Sequence, residues 1–161
     1  PLLLSLEPNE DRQIAVFREE LEKAGANAEP LAASSLSRYV IAASSRAAAE
    51  EALDRLTAAL NRRRAVRALS RGETPPPARD RAEMLSGYAI AGTPDDCRAQ
   101  IETLIARTGC RNLRCLFSAN GLIPLREAEA AMELFAAEVL PAFANCAVPP
   151  SLSFIRKGAE P

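Results

Sequence analysis

Gly92-Thr93-Pro94-Asp95-Asp96-Cys97 opens the stretch that decides the fold, and that stretch runs on to Phe143. Thr93, with Pro94 next and Asp96 at the third helical position, is a capping box with proline first, so a helix begins at Pro94. Ile101, Leu104 and Ile105 form its apolar stripe, with Cys97 one turn earlier, and Gly109 ends it. Asn112-Leu-Arg-Cys-Leu-Phe-Ser118 reads as a short buried strand, and Asn120-Gly121 as a turn that allows positive φ. From about Pro124 a last helix places Ala128, Ala131, Met132, Phe135 and Val139 on one face, with Met132 and Phe135 as core; Pro141 stops it. Helix, strand, loop and helix make one unit of an α/β fold.

Upstream the same kind of unit repeats. Leu2 to Leu6 is an unalternating apolar run, as expected of a parallel strand buried on both faces. Pro8 suits a first helical position, and Glu7, Glu10 and Asp11 suit the positive end of the helix dipole. Ile14, Phe17 and Leu21 share the inner face, and Gly25 is the stop. After a polar linker through Pro30, Leu36 to Ala43 is a second strand. Ser44 or Ser45 caps the next helix, which carries Ala49, Ala52, Leu53, Leu56 and Leu60 inward. Strands alternating with helical patterns indicate βαβ units around a parallel sheet.

Between Asn61 and Ala78 the composition shifts to Arg62-Arg63-Arg64, Arg67, Arg71-Gly72 and Pro75-Pro76-Pro77. An irregular segment is expected there, either a solvated loop or an active-site lid whose arginines meet an anionic ligand. Arg79 to Leu85 reads as a short helix ending near Gly87, and 145–161, with three prolines and little periodicity, as a tail.

The chain has 161 residues, 48% of them apolar and 25% charged, which is one ordinary globular domain with room for a core. A net charge of −1 argues against a general binder of nucleic acid or of anionic membranes. Apolar runs fall short of a membrane span, and Pro1–Leu6 lacks the positive flank of a signal peptide. Opening on Pro1 and at once on a strand, the chain reads as a C-terminal piece of a longer protein. Cys97, Cys110, Cys115 and Cys146 make no C-x-x-C pair, so reduced, mostly buried thiols in a cytoplasmic protein are expected and a zinc site is not. With no histidine, Ser-His and Cys-His catalysis are excluded from these residues.

Nucleotide-binding and hydrolase motifs are absent. Chemistry is therefore sought at the carboxyl ends of the strands, where parallel α/β folds place it. Ser44-Ser45-Arg46 offers hydroxyls, free amides and a guanidinium, either as an anion site or as a plain helix cap. Asn120-Gly121 is the second candidate, a loop lining the mouth of a barrel. Thr93–Asp96 is set aside, because two carboxylates crowd that helix start and it precedes, rather than follows, the strand at Asn112.

Taken together, Gly92-Thr-Pro-Asp-Asp-Cys-Arg-Ala-Gln-Ile101, Thr108-Gly109, Phe117, Gly121 and Leu134-Phe-Ala-Ala-Glu-Val-Leu-Pro141-Ala-Phe143 resemble the C-terminal region of the luciferase-like flavin-dependent monooxygenases. Pro1–Ser5 looks like that family's sixth barrel strand, and Arg38–Ala42, followed by Ala48–Ala52, like its seventh unit. The resemblance implies the C-terminal part of a TIM (β/α)8 barrel over 1–144, with 61–88 as an inserted lid and 145–161 as the tail. It implies an FMN-dependent enzyme, or alternatively a deazaflavin enzyme, that oxygenates or reduces a small-molecule substrate. Ser44, Ser45, Arg46, Asn120 and Gly121 are then candidate cofactor-binding residues, with catalytic residues upstream. The N-terminal half of the barrel and other copies of the chain, as a homo-oligomer, are the expected partners. The alternative is a non-catalytic half-barrel serving as a binding or assembly module.

Overall fold

A computed structural model of the chain describes residues 1–4 and 9–144. Ser5–Pro8, which include the expected end of the first strand and the Pro8 helix start, lie outside the described residues, as do the tail and Cys146. The elements are β1 (Leu3–Leu4), α1 (Glu10–Lys23), α2 (Glu29–Ala32), β2 (Ser35–Ala42), α3 (Arg46–Leu69), α4 (Arg81–Gly87), β3 (Ala89–Gly92), α5 (Pro94–Thr108), β4 (Asn112–Leu116) and α6 (Leu125–Leu134). A π-helical turn at Phe135–Val139 and a 3-10 turn at Leu140–Phe143 extend α6.

All pairings are parallel, and β2 is the hub of the sheet. Leu3 pairs with Ser35 and Leu4 with Leu36, while Tyr39–Ala42 pair with Ala89–Gly92. The amides of Ser35, Tyr39 and Ala43 donate to the carbonyls of Leu2, Tyr88 and Gly92, so β1 and β3 lie end to end along one side of β2. β4 occupies the other side, Asn112–Leu116 against Ser35–Tyr39. Consecutive barrel units would place β3 between β2 and β4. Here β1, β2 and β4 are the side-by-side series, and β3 is an extra strand that the sequence reading did not anticipate.

Alternation along β2 separates two cores. Leu36, Val40 and Ala42 pack with Ile14 of α1 and with Cys97, Ile101 and Leu104 of α5. Tyr39 and Ile41 pack with Ala49, Leu53 and Leu56 of α3, Met84 of α4 and Ala128 of α6. Helices therefore cover both faces of the sheet. The last helix passes from one core to the other around β4: Ala128 belongs to the second core, Phe135 and Val139 to the first. Phe117 bridges the two and meets Phe135 edge-on at 5.5 Å. The wider π turn carries Val139 back onto the buried face, and Met132, expected in the core, is 46% exposed instead.

Beneath the first core, Arg38 and Glu10 form a buried ion pair at 2.5 Å and 2.8 Å, joining β2 to α1. At the outer side of β3, the Gln100 carboxamide accepts from the Ala91 amide at 3.1 Å and donates to the Ala91 carbonyl at 2.8 Å. A side chain thus takes the place that a neighbouring strand would occupy.

The expected irregular segment begins later than Asn61. α3 continues through Arg62-Arg63-Arg64 and Arg67 to Leu69, because the proline block starts only at Pro75 and leaves those residues free to stay helical. The segment that follows folds back along α3, with the Asn61 carboxamide paired to both the amide and the carbonyl of Arg79.

Among the described residues no helix is long and apolar enough to cross a membrane, and no cluster of side chains suits a metal ion. Cys97, Cys110 and Cys115 are free thiols, the first two buried.

Candidate functional site

Because the strands are parallel, β2, β3 and β4 run toward one edge, and three loops follow them there: Ala43–Ser45 after β2, Thr93 after β3, and Phe117–Pro124 after β4. Ser45 caps α3 by accepting the Ala48 amide at 3.3 Å. Arg46 reaches across to Asp96, with Nη2 at 2.6 Å from Oδ1. Asp96 also accepts from the Thr93 hydroxyl at 2.9 Å and the Thr93 amide at 3.1 Å, completing the expected capping box. The Arg46 guanidinium and these Thr93 bonds hold the Asp96 carboxyl down at about 2.

This geometry corrects one inference. β3, in register with β2 up to Ala42 and Gly92, brings the start of α5 to the same carboxyl edge as Ser44-Ser45-Arg46 rather than to the opposite one. Gly92 makes the junction possible: its φ is +149°, and a Cβ there would lie 2.4 Å from Asp96 Cβ. The three predicted residues at the start of α3 are adjacent and exposed, but the cation among them is answered by Asp96 and one hydroxyl is used as a cap. They join two helix starts, α3 and α5, through the Arg46–Asp96 pair.

Asn120 and Gly121 lie past the end of β4 in a left-handed turn, with φ of +48° at Ala119, +57° at Asn120 and +81° at Gly121. Ser118, just before, is right-handed. The turn closes on itself, the amides of Gly121 and Ile123 donating to the Ser118 carbonyl at 2.9 Å and 3.1 Å. Ala119 is buried in the second core, so this turn is anchored rather than loose. Asn120-Gly121 and Ser44–Arg46 thus share an edge but belong to different loops.

Between the two loops lies a cleft of about 450 Å³, bounded by α3 and α6. Val40, Ala42, Ala43, Phe117, Ile123 and Leu134 supply apolar walls, and Ser44 stands among the lining residues. The space exists because the facing helix positions are small: Ala48 and Ala52 on α3, Ala130 and Ala131 on α6. Three ionisable residues line it, and they satisfy one another. Arg55 donates to Glu51 at 2.7 Å and to Glu127 at 2.6 Å, tying α3 to α6. The cleft suits a flat apolar body. Sequence reasoning missed it, since nothing in the chain says that small side chains on two separate helices face one another.

The arginines expected to overhang this site do not. α3 starts at the carboxyl edge and runs back along β2, so Arg62–Arg71 lie roughly 25–40 Å from its cap, at the rise of an α-helix. That is the amino end of the sheet. Arg63 and Arg79 act there on Tyr39 instead, each lowering a hydroxyl pKa that burial raises more strongly.

Fold and cleft together define a parallel α/β protein with a pocket at the carboxyl ends of its strands. The chain is similar in structure to the monooxygenase RslO1 from Streptomyces bottropensis, with a TM-score of 0.58 and 24% identity over 88% of this chain and 41% of that one. Apo-MsnO8 aligns with a TM-score of 0.45 and 21% identity over 83% of this chain and 45% of that one. The chain therefore spans less than half the length of either protein. No protein-family model and no curated protein matches it.

Proposed function

We infer that the chain is the C-terminal portion of a luciferase-like, flavin-dependent monooxygenase built on a (β/α)8 barrel, acting on a small organic substrate. One observation carries this reading: the apolar cleft lies at the carboxyl ends of β2 and β4, where barrel and open α/β enzymes bind their ligands. The parallel series β1, β2, β4 and the similarity to a stretch of RslO1 support it. Reduced flavin, as FMN or alternatively a deazaflavin, supplies the electrons for such chemistry when bound.

The residues at Ser44–Arg46 do not fit a flavin phosphate, since a second anion there would face the ionised Asp96. The phosphate grip and the catalytic residues fall to the N-terminal half of the barrel, a partner supplied outside this chain. The part played by these residues is positional. Val40, Ala42, Phe117 and Ile123 form an apolar wall that excludes water from the face of a bound ring, and the Arg55 bridge keeps α3 and α6 apart at a fixed width.

The test is an FMN fluorescence titration of the 161-residue chain, alone and joined to an N-terminal barrel half. The chain alone is expected to bind poorly and the joined protein to bind stoichiometrically. Micromolar or tighter binding by a monodisperse form of the chain alone, or none by the joined protein, overturns the reading in favour of a self-sufficient binding module or a non-catalytic one.

A further inference from the structure

The C-terminal half of α3 and the outer face of α6 carry opposite charge, each beside exposed apolar side chains. On α3, Arg63 and Arg67 stand one turn apart with Val66 and Leu69, which are 61% and 62% exposed. On α6, Glu129 and Glu133 stand one turn apart with Met132, and Leu140 follows. None of these four charged side chains has an ion-pair partner among the described residues. Some exposed arginines and acids nearby are paired within the chain: Arg55 holds Glu127, and Arg81 holds Asp54 and Glu50.

Like charges one helical turn apart repel, so each face is mildly destabilising until an opposite charge meets it. The spacing matches, because four residues rise about 6 Å on both helices. With the helices antiparallel, Arg63 meets Glu133 and Arg67 meets Glu129, while Val66 falls against Met132. The two faces cannot meet within one chain. Arg63 and Arg67 lie toward the amino end of the sheet, while α6 begins at the carboxyl edge.

We propose that the arginine face of α3 docks on the glutamate face of α6 in a second copy of this chain. Every copy carries both faces, so the contact is made either twice about a two-fold axis, closing a dimer, or once per copy in a growing series. It is small and rimmed by water, which makes it weak and salt-sensitive.

Sedimentation velocity over a range of concentrations, at low and high sodium chloride, reads it directly. The wild-type chain should associate at low salt and dissociate at high salt. Arg63→Glu with Arg67→Glu should weaken association at least tenfold, and so should Glu129→Lys with Glu133→Lys. An equimolar mixture of the two reversed proteins should regain it, since every unlike contact is then complementary. Arg63→Gln with Arg67→Gln gives the same loss without new repulsion should a reversed variant misfold by circular dichroism. A wild-type chain that stays monomeric, association indifferent to both reversals, or a mixture that does not reassociate overturns the proposal.

Discussion

Replacing Glu10 by glutamine is a severe test of how the sheet is held to α1. Arg38 is 2% exposed and Glu10 5%, and two bonds of 2.5 Å and 2.8 Å join them. In Glu10→Gln the buried guanidinium keeps its charge and retains the Ser37 carbonyl at 2.8 Å, but it loses the carboxylate that answers that charge. Removing one member of a buried pair costs about 3–5 kcal/mol, against about 5–15 kcal/mol for a whole domain. Arg107, 3.3 Å from the same carboxylate and partly exposed, adds about 1 kcal/mol or less. With a urea slope of about 2 kcal/mol per molar, the midpoint should fall by about 2 M. Equilibrium urea unfolding followed by far-UV circular dichroism measures it. Glu10→Leu with Arg38→Met, which removes both charges, should unfold within about 1 kcal/mol of wild type. A single variant that loses less than about 1 kcal/mol, or a double variant as weak as the single one, would refute the view that an unanswered buried charge is the penalty.

Two further outcomes follow from the carboxyl edge. Gly92→Ala forces a Cβ to 2.4 Å from Asp96 Cβ at a φ of +149°, so the melting temperature should drop by about 5–10 °C; an unchanged value in a thermal scan would mean that the β3–α5 junction relaxes freely. Asp96 titrates at about 2 instead of 3.8, so its stabilisation is full above pH 3.8 and fades as pH falls toward 2. The melting-temperature gap between wild type and Asp96→Asn should accordingly be flat at neutral pH and close on acidification, and a gap that persists at pH 2 would disprove the linkage.

Local chemistry was legible in the chain. The Thr93–Asp96 box, the Gly109 stop and a cap at Ser44 or Ser45 were read from residues within one turn of each other; the structure has the box, a left-handed Gly109 and the cap at Ser45. Elements set by distant partners were not. β3 is four residues, Ala-Ile-Ala-Gly, with no alternation to announce it; pairing with β2 makes it a strand. The extent of α3 was cut short by attention to Pro75–Pro77, although a proline limits a helix only near itself. Met132 was misplaced because it stands at the rim of the stripe set by Ala128 and Ala131, where the 3.6-residue period alone does not separate buried from exposed positions. At the candidate site, Arg46 drew notice for its charge. Its partner Asp96 lies 50 residues on, and no periodicity links the two. The cleft was equally silent, being made of what alanines leave unfilled.

The Gln100 carboxamide on β3 has a bearing on which strand can join that edge. A strand arriving at that edge does not find open amides; it must exchange with a side chain that already makes both bonds to Ala91. Hydrogen bonding then contributes almost nothing to the net free energy of joining, since two bonds are lost for two gained. Only apolar surface covered on arrival can drive the exchange, which favours a partner whose side chains match and slows any that merely offers backbone. In terms of equilibrium, β3 is latched: a strand takes that edge only where the apolar surface it covers outweighs the glutamine it displaces.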